Sequence, residues 1–155
     1  KNSKFIIMYR DPLNHCTSLK KQFFHFEEMH RKDNFFQSYM SFLGHYEFGL
    51  NYKSLLLDEI EEDKNNLDFW LRKWNLVYSH LLNFKEKKNI IFLSYEKFCE
   101  NPEFSLRKIL NNNSISKKIK YEKIINNNIE IKHTSDAKEL AYKIYYKMID
   151  LSNNE

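Results

Sequence analysis

Two short apolar runs constrain the fold of this chain more than any other feature. Lys4-Phe5-Ile6-Ile7-Met8-Tyr9 stops at the charged punctuation Arg10-Asp11-Pro12, and Ile90-Ile91-Phe92-Leu93 stops at Ser94-Tyr95-Glu96. Runs this short and this apolar read as strands. The second lacks polar alternation and has no face to give to water. The first is likewise expected to be buried. Long helical stretches lie between them, and strands joined by helical crossovers run parallel. The expected class is α/β, with parallel strands and helices packed on them.

The chain has 155 residues, which suits one domain with one core. Hydrophobic residues make up 42 %, enough to exclude global disorder. Lys and Arg number 25 against 21 Asp and Glu, a net charge of +4. A mild basic excess fits an anionic ligand but does not choose between a nucleotide and nucleic acid. Cys16 and Cys99 are the two cysteines, too few for a disulfide framework or a thiolate metal site. They read as small core or boundary residues, compatible with a reducing compartment. No metal-ligand spacing is visible, so no metal is expected. No apolar run approaches the roughly 18–20 residues that cross a bilayer. A cytoplasmic location is the default expectation.

The end of the first strand carries the chemistry. Arg10 stands at a strand C-terminus, where open α/β sheets place their ligands. Pro12 suits the first turn of a helix, and that helix start offers N–H groups and a positive dipole end to an anion. Ser18 comes about two turns along it. A planar, permanently charged fork suits a phosphate. The alternative is an ordinary strand and helix, with Arg10 in a surface ion pair.

The rest of the chain is mostly helical. Pro12 to about Arg31 repeats apolar residues at Leu19, Phe23, Phe26 and Met29 or His30. Asp33-Asn34 breaks it and caps a second helix from Phe35 to about Gly44. Gly44-His45-Tyr46-Glu47-Phe48-Gly49 then brackets an imidazole and a carboxylate. His45 and Glu47 are candidates for acceptor binding or proton transfer. The other reading is a packed turn with local hydrogen bonds. Ser54 to Lys64 reads as a short apolar step and then an acidic, solvated segment. Leu67 to Phe84 is the strongest helix, with Trp70 and Trp74 on its apolar stripe; they read as core. Helices are expected at Glu103–Leu110 after Pro102, at Lys117–Ile125, and at Ala137–Leu151 capped by Ser135 and Asp136. Asn111-Asn112-Asn113 and Asn126-Asn127-Asn128 read as loops.

RDPLNHCTS, Arg10 to Ser18, resembles the 3′-phosphate-binding motif of sulfotransferases that use 3′-phosphoadenosine 5′-phosphosulfate (PAPS). IIFLSYEKFCENPEFSLRKIL, Ile90 to Leu110, is similar to the family's later strand, its Tyr-Glu pair and its Asn-Pro-led helix. Between them, Ser18 to Gly49 resembles the helical insert of bacterial-type members. The resemblance covers about Lys4 to Leu110. It implies a P-loop-like three-layer sulfotransferase fold and places Arg10 and Ser18 on the cofactor 3′-phosphate. It places Tyr95 on the adenosine part. Glu96 is expected to be structural, bonding backbone or an arginine. Residues 33–66 are expected to form an acceptor-side helical insert within one partial domain, 1–155.

The family's opening strand, phosphosulfate loop and helix have no counterpart here. The only glycines, Gly44 and Gly49, lie in the insert, and the chain begins with Lys. The expectation is a C-terminal part of a longer protein or a truncated paralogue, with the catalytic base upstream. Nothing after Leu110 matches the late Arg-Lys-Gly loop of cytosolic members, which favours a bacterial-type relative. Lys132-His133 is the alternative cation source.

The expected function is sulfuryl transfer from PAPS to a hydroxyl or amine on a small molecule, glycan or lipid. The alternative is a truncated, inactive sulfotransferase-like interaction module. Nucleic-acid binding is disfavoured, because the lysines are scattered among glutamates and no helix-turn-helix or base-stacking signature occurs.

Overall fold

A computed structural model describes residues 3–54, 63–110 and 133–153. The elements are β1 (Phe5–Tyr9), α1 (Pro12–Lys32), α2 (Asn34–Phe42), α3 (Leu67–Leu82), β2 (Ile90–Ser94), α4 (Tyr95–Glu100), α5 (Pro102–Leu110) and α6 (Asp136–Asn153). Both expected strands form, and they pair in parallel from Phe5 opposite Ile90 to Tyr9 opposite Ser94. Arg10 and Tyr95 are the next residues on each strand, so this register makes them leave the sheet side by side.

Side-chain caps set the helix boundaries. Asp11 Oδ1 accepts the Asn14 N–H at 2.9 Å with Pro12 in the first turn of α1. Asp33 ends α1, and its carboxylate accepts the Phe35 N–H at 2.8 Å to open α2. Asn66, Asn101 and Ser135 cap α3, α5 and α6 in the same way. The helix α4 is an addition to the expected elements: Ser94 caps it directly off β2, and Asn101 ends it before Pro102.

The core lies where α3 packs between α1 and α6. Leu13, Cys16 and Phe23 of α1 meet Phe69, Trp70, Leu71 and Trp74 of α3 and Ala141, Ile144 and Met148 of α6. Leu71, Cys16, Ala141 and Met148 are fully enclosed. Burial of each large apolar side chain here contributes about 1.5–3 kcal/mol. Both tryptophans are core residues, each 3 % exposed. Trp70 Nε1–H donates to the Lys64 carbonyl at 2.9 Å, so its polar atom is satisfied inside an apolar contact.

One expectation fails. β1 is enclosed only at Tyr9, while Phe5, Ile6 and Met8 are exposed. Among the described residues only β2 pairs with β1, and these leave the Phe5, Ile6 and Met8 side chains uncovered. β2 is better covered, with Phe92 and Ser94 buried. Most of the acidic stretch Ser54–Lys64, both Asn triplets, the helix expected at Lys117–Ile125, and Lys132 lie outside the described residues. Among the described residues no helix is long and apolar enough to cross a membrane.

Candidate functional site

Arg10, Ser18 and Tyr95 come from three separate places in the sequence and line one cavity of about 410 Å³. Met8, Tyr9, His15, Leu19, Gln22 and Phe48 complete the lining. Arg10 reaches it from the end of β1, Tyr95 from the first turn of α4, and Ser18 from α1. The Arg10 guanidinium carbon lies 5.1 Å from the centre of the Tyr95 ring, within cation–π range. This contact arises from the parallel register. The Tyr95 phenol is pushed above its ordinary pKa, first by a hydrogen bond with Cys99 and then by burial. It stays protonated at neutral pH.

Glu96 is structural, as expected, and its partners are specific. Its Oε1 accepts the Asp11 backbone N–H at 2.8 Å, and its Oε2 accepts from Ser94 Oγ at 3.0 Å. Tyr142 of α6 donates its phenol to Asp11 Oδ2 at 2.7 Å. Asp11, between the strand and α1, is therefore held from α4 and from α6. The Glu96 bond is to the peptide N–H that directly follows Arg10, and it is this bond that places Arg10.

The expected donor set at the start of α1 needs correction. Pro12 has no N–H, the Asn14 N–H goes to the Asp11 carboxylate, and the Asp11 N–H goes to Glu96. The start of α1 is capped by its own Asp11 carboxylate. The cavity is instead faced by the side of α1. His15, Ser18, Leu19 and Gln22 recur at i, i+3, i+4 and i+7 and share that face.

His15 is a member of the site that sequence reasoning misses. Trp74 Nε1–H on α3 donates to its Nδ1 at 3.2 Å, and the Tyr78 ring packs edge-on at 6.3 Å. Burial, then the Arg10 charge, lowers its pKa, with Glu96 acting in the opposite sense. The only sequence signal for it is its spacing of three residues before Ser18. Gln22 is legible in the same way, four residues after Ser18.

His45 and Glu47 do not line this cavity; Phe48 of the same loop does. Their side chains face each other at 3.5 Å and are about half exposed, 51 % and 50 %. The loop is held from below by His30, which is buried and accepts the Leu50 N–H on Nδ1 at 3.2 Å. Gly49 has φ +80°, and a Cβ there would lie 2.7 Å from the His30 ring. His133 is committed elsewhere too. Its Nε2 lies 2.8 Å from Asp68 Oδ1, which also accepts from Ser135 Oγ at 2.6 Å, joining the starts of α3 and α6. It does not replace a cation at the Arg10 cavity.

A family model described as the sulfotransferase domain matches residues 1–145. No curated protein and no solved structure matches the chain. The matched span holds both strands, the cavity and about half of α6 within its limits. A match over this much of the chain settles the family: this protein is a member of the sulfotransferase domain family.

Proposed function

We propose that the Arg10 cavity binds the 3′-phosphate and adenosine end of PAPS, and that the protein transfers the sulfuryl group to a hydroxyl or amine acceptor. The observation that supports this reading is that Arg10, Ser18 and Tyr95 line one cavity. The residues suit the ligand chemically. Arg10 offers a forked cation to a phosphate, Ser18 a hydroxyl donor, and Tyr95 an aromatic face and a protonated phenol. When bound, the donor supplies the sulfuryl group: its sulfur–oxygen bond to the 5′-phosphate breaks, a bond to the acceptor oxygen or nitrogen forms, the acceptor proton passes to a base, and adenosine 3′,5′-bisphosphate leaves. Arg10 and Ser18 act at the far end of that donor and serve positioning. We assign residues 33–66 to the acceptor side, where α2 exposes Phe35 and Phe42 and Phe48 borders the cavity. An acceptor with an apolar portion suits that surface. The two free cysteines fit a reducing, cytoplasmic setting.

The test is calorimetric titration with adenosine 3′,5′-bisphosphate. Arg10→Ala is expected to weaken binding at least about tenfold, or about 1.4 kcal/mol. Equal affinity in the wild type and the variant removes the assignment. Arg10-dependent binding without transfer to any acceptor supports the inactive-module reading over the enzyme.

A further inference from the structure

His15 occupies the same face of α1 as Ser18 and lines the same cavity. Its chemistry is fixed from behind. An indole N–H only donates, so the contact from Trp74 Nε1 at 3.2 Å makes His15 Nδ1 an acceptor. The ring proton of the neutral imidazole then resides on Nε2. Protonation would place a second N–H on Nδ1, pointing at the donor of Trp74. Burial and the neighbouring Arg10 charge oppose protonation as well.

We infer that His15 is a ligand-contacting residue of this site: fixed by Trp74 as the neutral Nε2–H tautomer, it donates a hydrogen bond to the phosphate that Arg10 and Ser18 hold. The inference rests on the nucleotide reading above. It gives the site a directed donor one helical turn from Ser18, without a second cation beside Arg10. A neutral donor recognises acceptor oxygens, while Arg10 recognises charge. Together they favour a ligand with a phosphate at this position over one that lacks it.

The experiment is nitrogen NMR of the imidazoles in the wild-type protein, titrated with adenosine 3′,5′-bisphosphate and separately with adenosine 5′-phosphate. His15 Nε2 is expected to carry the proton in the free protein. Its resonance is expected to move with the bisphosphate and to stay in place with the 5′-phosphate. Calorimetry on variants gives an independent readout. His15→Phe is expected to lose about tenfold in bisphosphate affinity and to bind adenosine 5′-phosphate as the wild type does. His15→Gln, whose amide both accepts from Trp74 and donates, is expected to recover most of the loss. Bisphosphate binding that depends on Arg10 but leaves the His15 signal unmoved overturns the inference and leaves the nucleotide reading standing. So does undiminished affinity in His15→Phe. Failure of the wild type to bind the bisphosphate overturns both.

Discussion

Glu96 Oε1 accepts the backbone N–H of Asp11 at 2.8 Å, a bond that spans 85 positions in sequence. It ties the start of α4 to the start of α1, and Arg10 is the residue between β1 and that tie. Glu96→Ala leaves a part-buried N–H and the Ser94 hydroxyl without their acceptor. The expected cost is about 1–3 kcal/mol, measured by urea unfolding, with weaker bisphosphate binding through displacement of Arg10. Glu96→Gln keeps an acceptor for Asp11 and is expected to stay within about 1 kcal/mol of wild type. Equal stability of Glu96→Ala and wild type would show that the tie contributes nothing.

That Arg10 and Tyr95 both follow strand ends is legible in the sequence, because both apolar runs stop just before them and the long helical connection implies parallel strands; the register that sets them side by side is not. What the runs do not reveal is coverage. β1 reads as apolar as β2, yet Phe5, Ile6 and Met8 are exposed, since burial depends on neighbouring layers and not on a strand's own composition. The helix α4, Tyr95–Glu100, is hard to read because six residues carry too little periodicity. His15 is hidden because its role depends on Trp74, 59 positions away. His45 and Glu47 attract attention through their flanking glycines. Gly49 serves a close approach to His30 instead, and the pair stays half exposed.

That close approach makes Gly49 the most sensitive position in its loop. Gly49→Ala combines a left-handed φ of +80° with a Cβ only 2.7 Å from the buried His30 ring and 3.2 Å from Phe26 Cβ. His30 is buried and packed against the Phe26 and Phe36 rings, so the expected loss is about 2–4 kcal/mol, strain and overpacking together. Gly44→Ala has φ +76° but nothing within 4 Å, and about 1–2 kcal/mol is expected. Thermal unfolding of both variants checks the order. Equal losses would mean that the contact with His30 is not a constraint.

Tyr142 holds Asp11 from the opposite side to Glu96, through a 2.7 Å hydrogen bond to Oδ2. Burial and that bond push the phenol well above its ordinary pKa. Tyr142→Phe removes a bond to a charged acceptor and is expected to cost about 1.5–3 kcal/mol. Tyr142 does not line the Arg10 cavity, so bisphosphate affinity is expected to remain within about twofold of wild type. A large affinity loss with unchanged stability would place Tyr142 in the binding site instead.

His15 also gives stability a dependence on pH with a definite sign. Its surroundings are the Arg10 guanidinium at the end of β1, the Glu96 carboxylate and Tyr95 phenol of α4, and Trp74 and Tyr78 of α3. Burial and Arg10 hold its pKa below the ordinary 6.5, against the pull of Glu96. The unfolded chain therefore binds a proton at this residue at a higher pH than the folded one. Linkage makes stability rise with pH wherever the unfolded state binds more protons. The contribution is complete above about pH 6.5 and is lost as pH falls from there through the folded-state value. His15→Gln has nothing to titrate. Denaturant unfolding of both proteins at a series of pH values from about 8 down to 5 is expected to give a difference that is constant above about 6.5 and moves in favour of the variant below it. A difference that does not change with pH would mean that the folded protein accepts the proton as readily as the unfolded chain. Trp74 would then not be fixing the neutral tautomer.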